Sequence, residues 1–436
     1  MVHNYVGECL ICHTPIRLRF QVSEEGIPIH FACPKCNTSI EGHIDVIDPN
    51  LALTTDIQNW FTYKIFNFKE SKSKPLYVIE VSSDFFVQKI KPDTDEPEPS
   101  PFLKTMSEVG REGIYNLNII GDTEKRLIDV LPTMIMVHKL WINKRYSELF
   151  AQISSGNDYT DIIQLDSLKN QVKAPIDAFL VLHQARELWL RNIYNESTFV
   201  EIRSIRDKIF LIPNAVSKFA LYSQMMFKLN YYLDFSKKTL EVTRKFIKLL
   251  PNIYPSIHRI DTFNVDDNYG TSYSIDVADE MMALYELMFE VVCEKDDLLI
   301  GYNNIIHRGN VDSFVISSKK NGFEKTILEY TKKYRKTKDL LAENESFSCG
   351  LIQVLDSTIR NSITHKDAYF NQTDNTFTFP DKIKPECSIT ISGVHFSFHI
   401  IRLFYKLNVL FEYAFWSEFM YRITFGFEKI TYGTPN

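Results

Sequence analysis

The chain has 436 residues, 24% of them charged and 44% hydrophobic, with a formal net charge of -6 and a pI near 6.0. That length supports two or three domains and a large core, and the acidic balance argues against a protein that coats a polyanion through bulk positive charge, so a nucleic acid would have to meet a local basic patch. Aromatic residues reach 13% while glycines number 15, a balance that favours packed helices over a glycine-rich barrel or sandwich.

No stretch of about 18 or more uninterrupted apolar residues occurs. The most apolar region, 394–425, is broken by Arg402, Lys406, Glu412, Glu418 and Arg422, so no membrane span is expected. The first residues, MVHNYVGECLICH, carry no cationic segment followed by an apolar stretch, and a cytoplasmic location is the expectation. Of the seven cysteines, Cys293, Cys349 and Cys387 are scattered singly, as small buried hydrophobes are in a reducing compartment.

Residues 1–48 read as a small β zinc ribbon. Cys9-Leu-Ile-Cys12 and Cys33-Pro-Lys-Cys36 are two CxxC pairs, each able to occupy a tight turn that aims two thiolates at one tetrahedral ion, a structural Zn2+. Between them, Ile16, Leu18, Phe20 and Val22, then Ile27, Ile29 and Phe31, alternate as strands do, with Glu24-Glu25-Gly26 as the turn. So small a module has too little core of its own and takes its stability from the metal. His13 and His30 are alternative ligands, but four cysteines already complete the set and leave no open coordination position for chemistry. Arg17, Arg19 and Lys35 are candidates for phosphate contact; the plainer reading is a solvated face on a docking module.

Residues 49–120 read as a small mixed or β connecting module, with short strands at 76–81 and 84–89 and an acidic, Pro-rich loop at 91–101 that cannot pack. Residues 121–275 form a helical domain. A run to about 154 starts at the N-cap Asp122, with a kink expected at Pro132. Ala174-Pro175 opens a second helix, and further runs span about 198–210, 215–235 and 236–250, with Pro251 and Pro255 ending the last. His183, Arg186 and Arg191-Asn192 place a base near cations there, and the plainer reading is a polar outer face.

From 276 to 436 the pattern is again helical, at about 276–293, 296–307, 322–343, 349–364 and 394–424. His307-Arg308 before Gly309 reads as a helix C-terminus. Lys319, Lys320, Lys332, Lys333, Arg335 and Lys336 concentrate positive charge in an acidic chain. Such a run is usually a solvated face, and it is also the best candidate for an RNA-backbone track. In the last helix, Phe396, Ile400, Leu403, Leu407, Leu410 and Ala414 form a heptad-like stripe with aromatic residues around it, which requires burial in a core or a dimer.

Arg360-Asn361-Ser362-Ile363-Thr364-His365 closes the apolar run Leu351–Ile359 and precedes a hairpin expected at 368–379, turning at 371–375. At about 100° per residue, Asn361 and His365 share a helix face while Arg360 and His365 lie about 140° apart. A histidine moves protons near neutral pH and an arginine stabilises charge developing on a phosphate, a minimal kit for cleaving RNA through its own 2′-hydroxyl. Asp356 and Ser357 are candidate supporting groups. The plainer reading is that Arg360 and His365 cap a helix end.

The segment Ile359-Arg-Asn-Ser-Ile-Thr-His365, with the hairpin and long final helix after it, resembles the HEPN superfamily over roughly the last 160 residues. The resemblance implies an all-helical C-terminal bundle, a site composed across a homodimer interface, and metal-independent endoribonuclease activity in phage defence, abortive infection or a toxin system, with a phage trigger or antitoxin as partner. Arg360, Asn361 and His365 match the family's catalytic positions. The family also contains inactive members, so the alternative is a non-catalytic module that binds nucleic acid or protein. The expectation is thus a mainly α chain: a zinc ribbon, a connecting module, a middle helical domain and a HEPN-like helical domain.

Overall fold

A computed structural model describes residues 2–21, 27–46, 53–65, 77–83, 85–92, 99–107, 135–154, 175–191, 200, 204–207, 209–228, 230–257, 269–270, 272–295, 297–312 and 354–426. The chain is mainly α with several small sheets. In order come β1 (Val2–Cys9), β2 (Pro15–Gln21), β3 (Ile27–Ala32), β4 (Ser39–Val46), β5 (Leu53–Gln58), β6 (Trp60–Ile65), β7 (Tyr77–Val81), β8 (Val87–Gln88) and β9 (Lys91–Pro92). The helices α1 (Tyr146–Ser154), α2 (Pro175–Arg191), α3 (Ala215–Lys228) and α4 (Tyr231–Ile257) follow, then β10 (Tyr269–Gly270), α5 (Ile275–Glu294) and α6 (Asp297–Arg308). The last elements are α7 (Ser357–Thr364), β11 (Tyr369–Asn371), β12 (Thr376–Phe379), β13 (Ile389–Ser392) and α8 (Gly393–Phe425). No described helix is long and apolar enough to cross a membrane.

Two compact units divide the chain, each assembled from three segments: Met1–Asn118, Phe246–Glu286 and Asp356–Ile401 in the first, Ile119–Lys245, Leu287–Leu355 and Arg402–Asn436 in the second. In the first, a five-stranded sheet has the order β6-β1-β2-β7-β9, and β3-β4-β5 form a second sheet. The alternation read from the sequence holds: Ile16, Leu18 and Phe20 on β2 and Ile27, Ile29 and Phe31 on β3 all point inward. The core they form also takes in Ile79 and Val81 of β7, which pairs in parallel with β2. The cysteine-bearing strands therefore rest on more apolar burial than residues 1–48 contain.

Three expectations for this unit change. The strand expected at 84–89 shortens to β8, paired with β10. The Pro-rich loop begins as β9, whose Lys91 and Pro92 oppose Val78 and Tyr77; residues 93–98 lie outside the described set. Arg19, a candidate for phosphate, instead donates to Glu80 Oε1 at 2.5 Å and to the Pro99 carbonyl at 3.2 Å, and Lys104 Nζ reaches Glu80 Oε2 at 3.2 Å. With Glu80 and Lys104 both buried, this is an internal charge network, and Arg19 is spent on holding it together.

The expected hairpin forms from β11 and β12, turning at Asn371–Asn375 with Asn375 in the left-handed region at φ 51°. β13 adds a third antiparallel strand. Phe377 and Phe379 pack on Phe396 with ring centroids 4.5 and 5.2 Å apart, so this small sheet is anchored on the first turn of α8. That turn opens at Gly393, where a Cβ would stand 2.6 Å from the Tyr273 ring.

In the second unit, Pro175 opens α2 as the sequence indicates. The helix expected to run to 154 breaks before α1, at Lys144 (φ 57°), and Pro132 lies outside the described residues. The boundary expected at 235/236 lies instead at Asn230 (φ 54°). Pro251 and Pro255, in the part of α4 that belongs to the first unit, sit inside the helix, which continues to Ile257. Burial of Leu249, Leu250, Ile253, Tyr254 and Ile257 outweighs a cost of about 3 kcal/mol for an interior proline.

A different surprise comes from α2. His183 and Arg186 are buried, not on an outer face. His183 Nε2 donates to Glu412 Oε2 at 2.7 Å, and its ring stacks on Phe415 with centroids 4.1 Å apart. Arg186 donates to Asn408 Oδ1 and lies 3.4 Å above the Phe411 ring. Asn408 and Glu412 of α8 are thus internal partners of α2.

Candidate metal centre and candidate nucleic-acid groove

The two CxxC segments fold as near copies. In the first, the Cys9 N–H donates to the Thr14 carbonyl (3.1 Å), the His13 N–H donates to the Cys9 carbonyl (2.9 Å), and His13 is left-handed at φ 56°. In the second, the Cys33 N–H donates to Thr38 (2.8 Å), the Asn37 N–H donates to Cys33 (2.9 Å), and Asn37 has φ 58°. Each turn ends on a threonine whose Oγ1 lies 3.1 Å from the second sulfur of its pair, Thr14 on Cys12 and Thr38 on Cys36. Asn59, at the β5–β6 turn, ties the copies together: its carbonyl accepts from the Leu10 N–H at 3.1 Å and its amide donates to the Ser39 carbonyl at 2.9 Å.

The sulfurs of Cys9, Cys12, Cys33 and Cys36 lie within 4.8 Å of one another, with Cys9 to Cys36 at 3.6 Å and Cys12 to Cys33 at 3.5 Å. A tetrahedral ion with sulfur bonds of about 2.3 Å has sulfur–sulfur edges of about 3.8 Å, so the spacing fits one metal ion. Burial pushes the Cys33 thiol up to about 12, whereas the Thr38 hydroxyl and backbone bring Cys36 down to about 6. Four sulfurs this close cannot all ionise without a cation among them. His13 lies outside the cluster beside Glu8, Nδ1 to Oε1 at 3.3 Å, and His30 is also outside it, with burial lowering its pKa. The threonines and Asn59 were not singled out from the sequence; the repeated Cys-x-x-Cys-x-Thr is the signal that points to the threonines.

The Arg360–His365 segment is built differently from the expectation. The run from Leu351 does not continue into it as one helix. Asp356, at φ -104° and ψ 110°, accepts from the Thr358 and Ile359 N–H groups at 2.8 and 3.2 Å and starts a new helix, α7. Asp356 is consumed as an N-cap and does not support Arg360 or His365; residues 351–353 lie outside the described set. Ile359 buries the helix, His365 is its C-cap, and Lys366 takes φ 58° to turn the chain towards β11.

Asn361 and His365 line one wall of a groove of about 600 Å³, with Ser362 and Asp367 beside them and Lys382 and Lys384 opposite. Asp381 Oδ1 fixes the opposing loop by accepting from the Ile383 and Lys384 N–H groups, each at 2.9 Å. Lys382 reaches Asp367 at 2.6 Å. Ser362 Oγ is buried with no hydrogen-bond partner. His365 is exposed, and among the described residues nothing hydrogen-bonds to its ring. Arg360 does not line this groove: its guanidinium donates to Asn361 Oδ1 at 3.0 Å. Within one chain Asn361 and His365 both line this groove, while Arg360 stays outside the lining and rests on the Asn361 side chain. Lys382 and Lys384 escaped the sequence reading because the fold alone sets their loop opposite α7. The candidate RNA track, Lys319, Lys320, Lys332, Lys333, Arg335 and Lys336, lies outside the described residues.

Comparison with protein-family models, with curated proteins and with solved structures finds no match.

Proposed function

We propose that the chain is a metal-independent endoribonuclease of the HEPN type. The observation that carries the reading is the groove, in which an exposed imidazole, with no hydrogen-bond partner among the described residues, shares a helix face with an amide and lies in one lining with two lysines. His365 would take the proton from a ribose 2′-hydroxyl as that oxygen attacks the adjacent phosphorus. The 5′-oxygen leaves taking a proton from water, giving a 2′,3′-cyclic phosphate and a 5′-hydroxyl, and the imidazolium returns its proton to solvent. Asn361 orients the imidazole or the sugar, and Lys382 and Lys384 hold the flanking phosphates. Arg360, outside the lining of this groove, acts on the phosphate of a site completed by a second copy, in a homodimer. The four cysteines hold a structural Zn2+ in a zinc-ribbon module, and a phage-defence or toxin role, with a trigger or antitoxin as partner, follows from the same resemblance.

The second reading, a non-catalytic binding module, is favoured by one observation: among the described residues of a single chain no arginine lines the groove beside His365. One experiment separates the two. Purified chain incubated with total RNA should leave cyclic 2′,3′-phosphate ends, and His365→Ala and Arg360→Ala should each lower the rate by about 100-fold or more. RNA that stays intact while bound, or cleavage undiminished in His365→Ala, overturns the catalytic reading.

A further inference from the structure

A second cavity lies wholly within the second unit, and it is built from groups that the proposed cleavage does not use. It measures about 220 Å³ and opens between the turn that carries Lys144, the α3–α4 turn at Asn230, and Glu418 and Arg422 of α8. Trp141, Tyr146 and Phe227 supply rings to its wall. Behind it, a void of about 30 Å³ shares Trp141, Tyr232 and Glu418 and extends to His183. Close-packed interiors carry few voids larger than a water molecule, and an apolar cavity of about 150 Å³ already admits benzene.

The polar groups here form a buried pair inside an aromatic wall. A buried ion pair is commonly replaced by apolar residues at no loss of stability. Yet Glu418 and Arg422 are both buried, with the guanidinium 5.3 Å from the Trp141 ring centre, 5.5 Å from Phe179 and 5.7 Å from Phe227. Both Arg422 hydrogen bonds to this carboxylate converge on Glu418 Oε1. Oε2 has no hydrogen bond among the described residues, so a cavity-lining carboxylate keeps an acceptor in hand. At the exposed mouth, Lys144 adds a positive charge.

We infer that this cavity binds a purine nucleotide, the base stacked among the rings with an N–H edge on Glu418 and the phosphate at Lys144. The cavity's size favours a bicyclic base over a single ring. An aromatic surface holds such a base by stacking, at about 1–3 kcal/mol per base. The carboxylate selects ligands with N–H donors, and the lysine selects the charged nucleotide over its nucleoside. This inference is independent of the nuclease reading: either can fail alone.

The test is calorimetric titration of the full chain with GMP, AMP and UMP. Saturable binding of GMP or AMP, tighter than that of UMP, is the expected result. Lys144→Glu, on an exposed turn, should weaken that binding at least about tenfold while leaving the matching nucleoside little changed, and Tyr146→Ala should weaken nucleotide and nucleoside alike. Glu418→Gln should weaken both as well, with far-UV circular dichroism showing that the variant folds; if it does not fold, the Lys144 and Tyr146 variants decide. No saturable binding of either purine nucleotide at millimolar concentration, tighter binding of UMP, or affinity unchanged in Lys144→Glu and Tyr146→Ala overturns the inference.

Discussion

The chain sets out nearly the same side chains twice. On α2 and α8 of the second unit, His183, Arg186 and Asn408 are buried, and each makes a side-chain hydrogen bond inside the protein. On α7 of the first unit, Arg360, Asn361 and His365 repeat those residue types near the surface, and the imidazole is left to solvent. The contrast shows what makes a histidine a candidate for chemistry. It is neither the residue type nor a nearby cation but hydrogen-bonding capacity that folding has not already consumed. A buried, paired imidazole holds helices together, whereas an exposed one on a groove wall can still meet a substrate.

The largest expected effect breaks the comparison directly. His183→Ala leaves the Glu412 carboxylate buried without its partner and should cost about 3–5 kcal/mol in urea denaturation. His365→Ala, on an exposed C-cap, should change stability by no more than about 0.5 kcal/mol. Equal costs at the two positions would remove the distinction.

The metal centre offers an intermediate effect. Because the core of β1–β4 extends to Ile79 and Val81, chelation or Cys36→Ser should lower the melting temperature and abolish binding of the proposed zinc, read by elemental analysis, while the helical circular dichroism persists. Complete unfolding on chelation would mean that the metal, not the extended core, supports this unit.

The smallest effect concerns pH. Burial alone would raise the Asp234 and Glu294 carboxyls, but Lys295 and Lys238 outweigh it and hold both below their ordinary values, while the same two carboxylates raise Lys238. Depressed carboxylates stabilise the fold above their unfolded values near about 4, and that contribution disappears as pH falls through the lower folded values. The raised lysine contributes below its unfolded value of about 10.4 and is lost as pH rises through its folded one. Unfolding measured from pH 7 down to pH 3 should steepen near the acid edge, and Lys238→Met should flatten that slope slightly, since these groups are partly exposed.

Much of the local structure was legible in the residues. Alternation placed Ile16, Leu18 and Phe20 inward, paired cysteines marked two turns whose four sulfurs cluster, and Asn371–Asn375 marked the hairpin turn. The misreadings share one cause. Asp356 interrupts an apolar run that periodicity alone would continue, and Pro251 and Pro255 stand inside a helix that propensity alone would end. In each case a local rule met a stronger competing term, a side-chain cap at Asp356 and tertiary burial in α4.

By itself, the sequence determined the periods, the faces and the chemical inventory: two thiolate pairs, mainly helices, and an Asn361–His365 face with Arg360 offset from it. These follow from chain geometry, which acts over a few residues. Only the tertiary structure decided which polar groups remain available. Glu412 lies 229 residues from His183 and Asn408 lies 222 from Arg186, and the loop opposite His365 is set in place by the packing of a three-stranded sheet. Burial and pairing are properties of neighbours in space, and for these groups the neighbours come from segments that spacing along the chain does not connect.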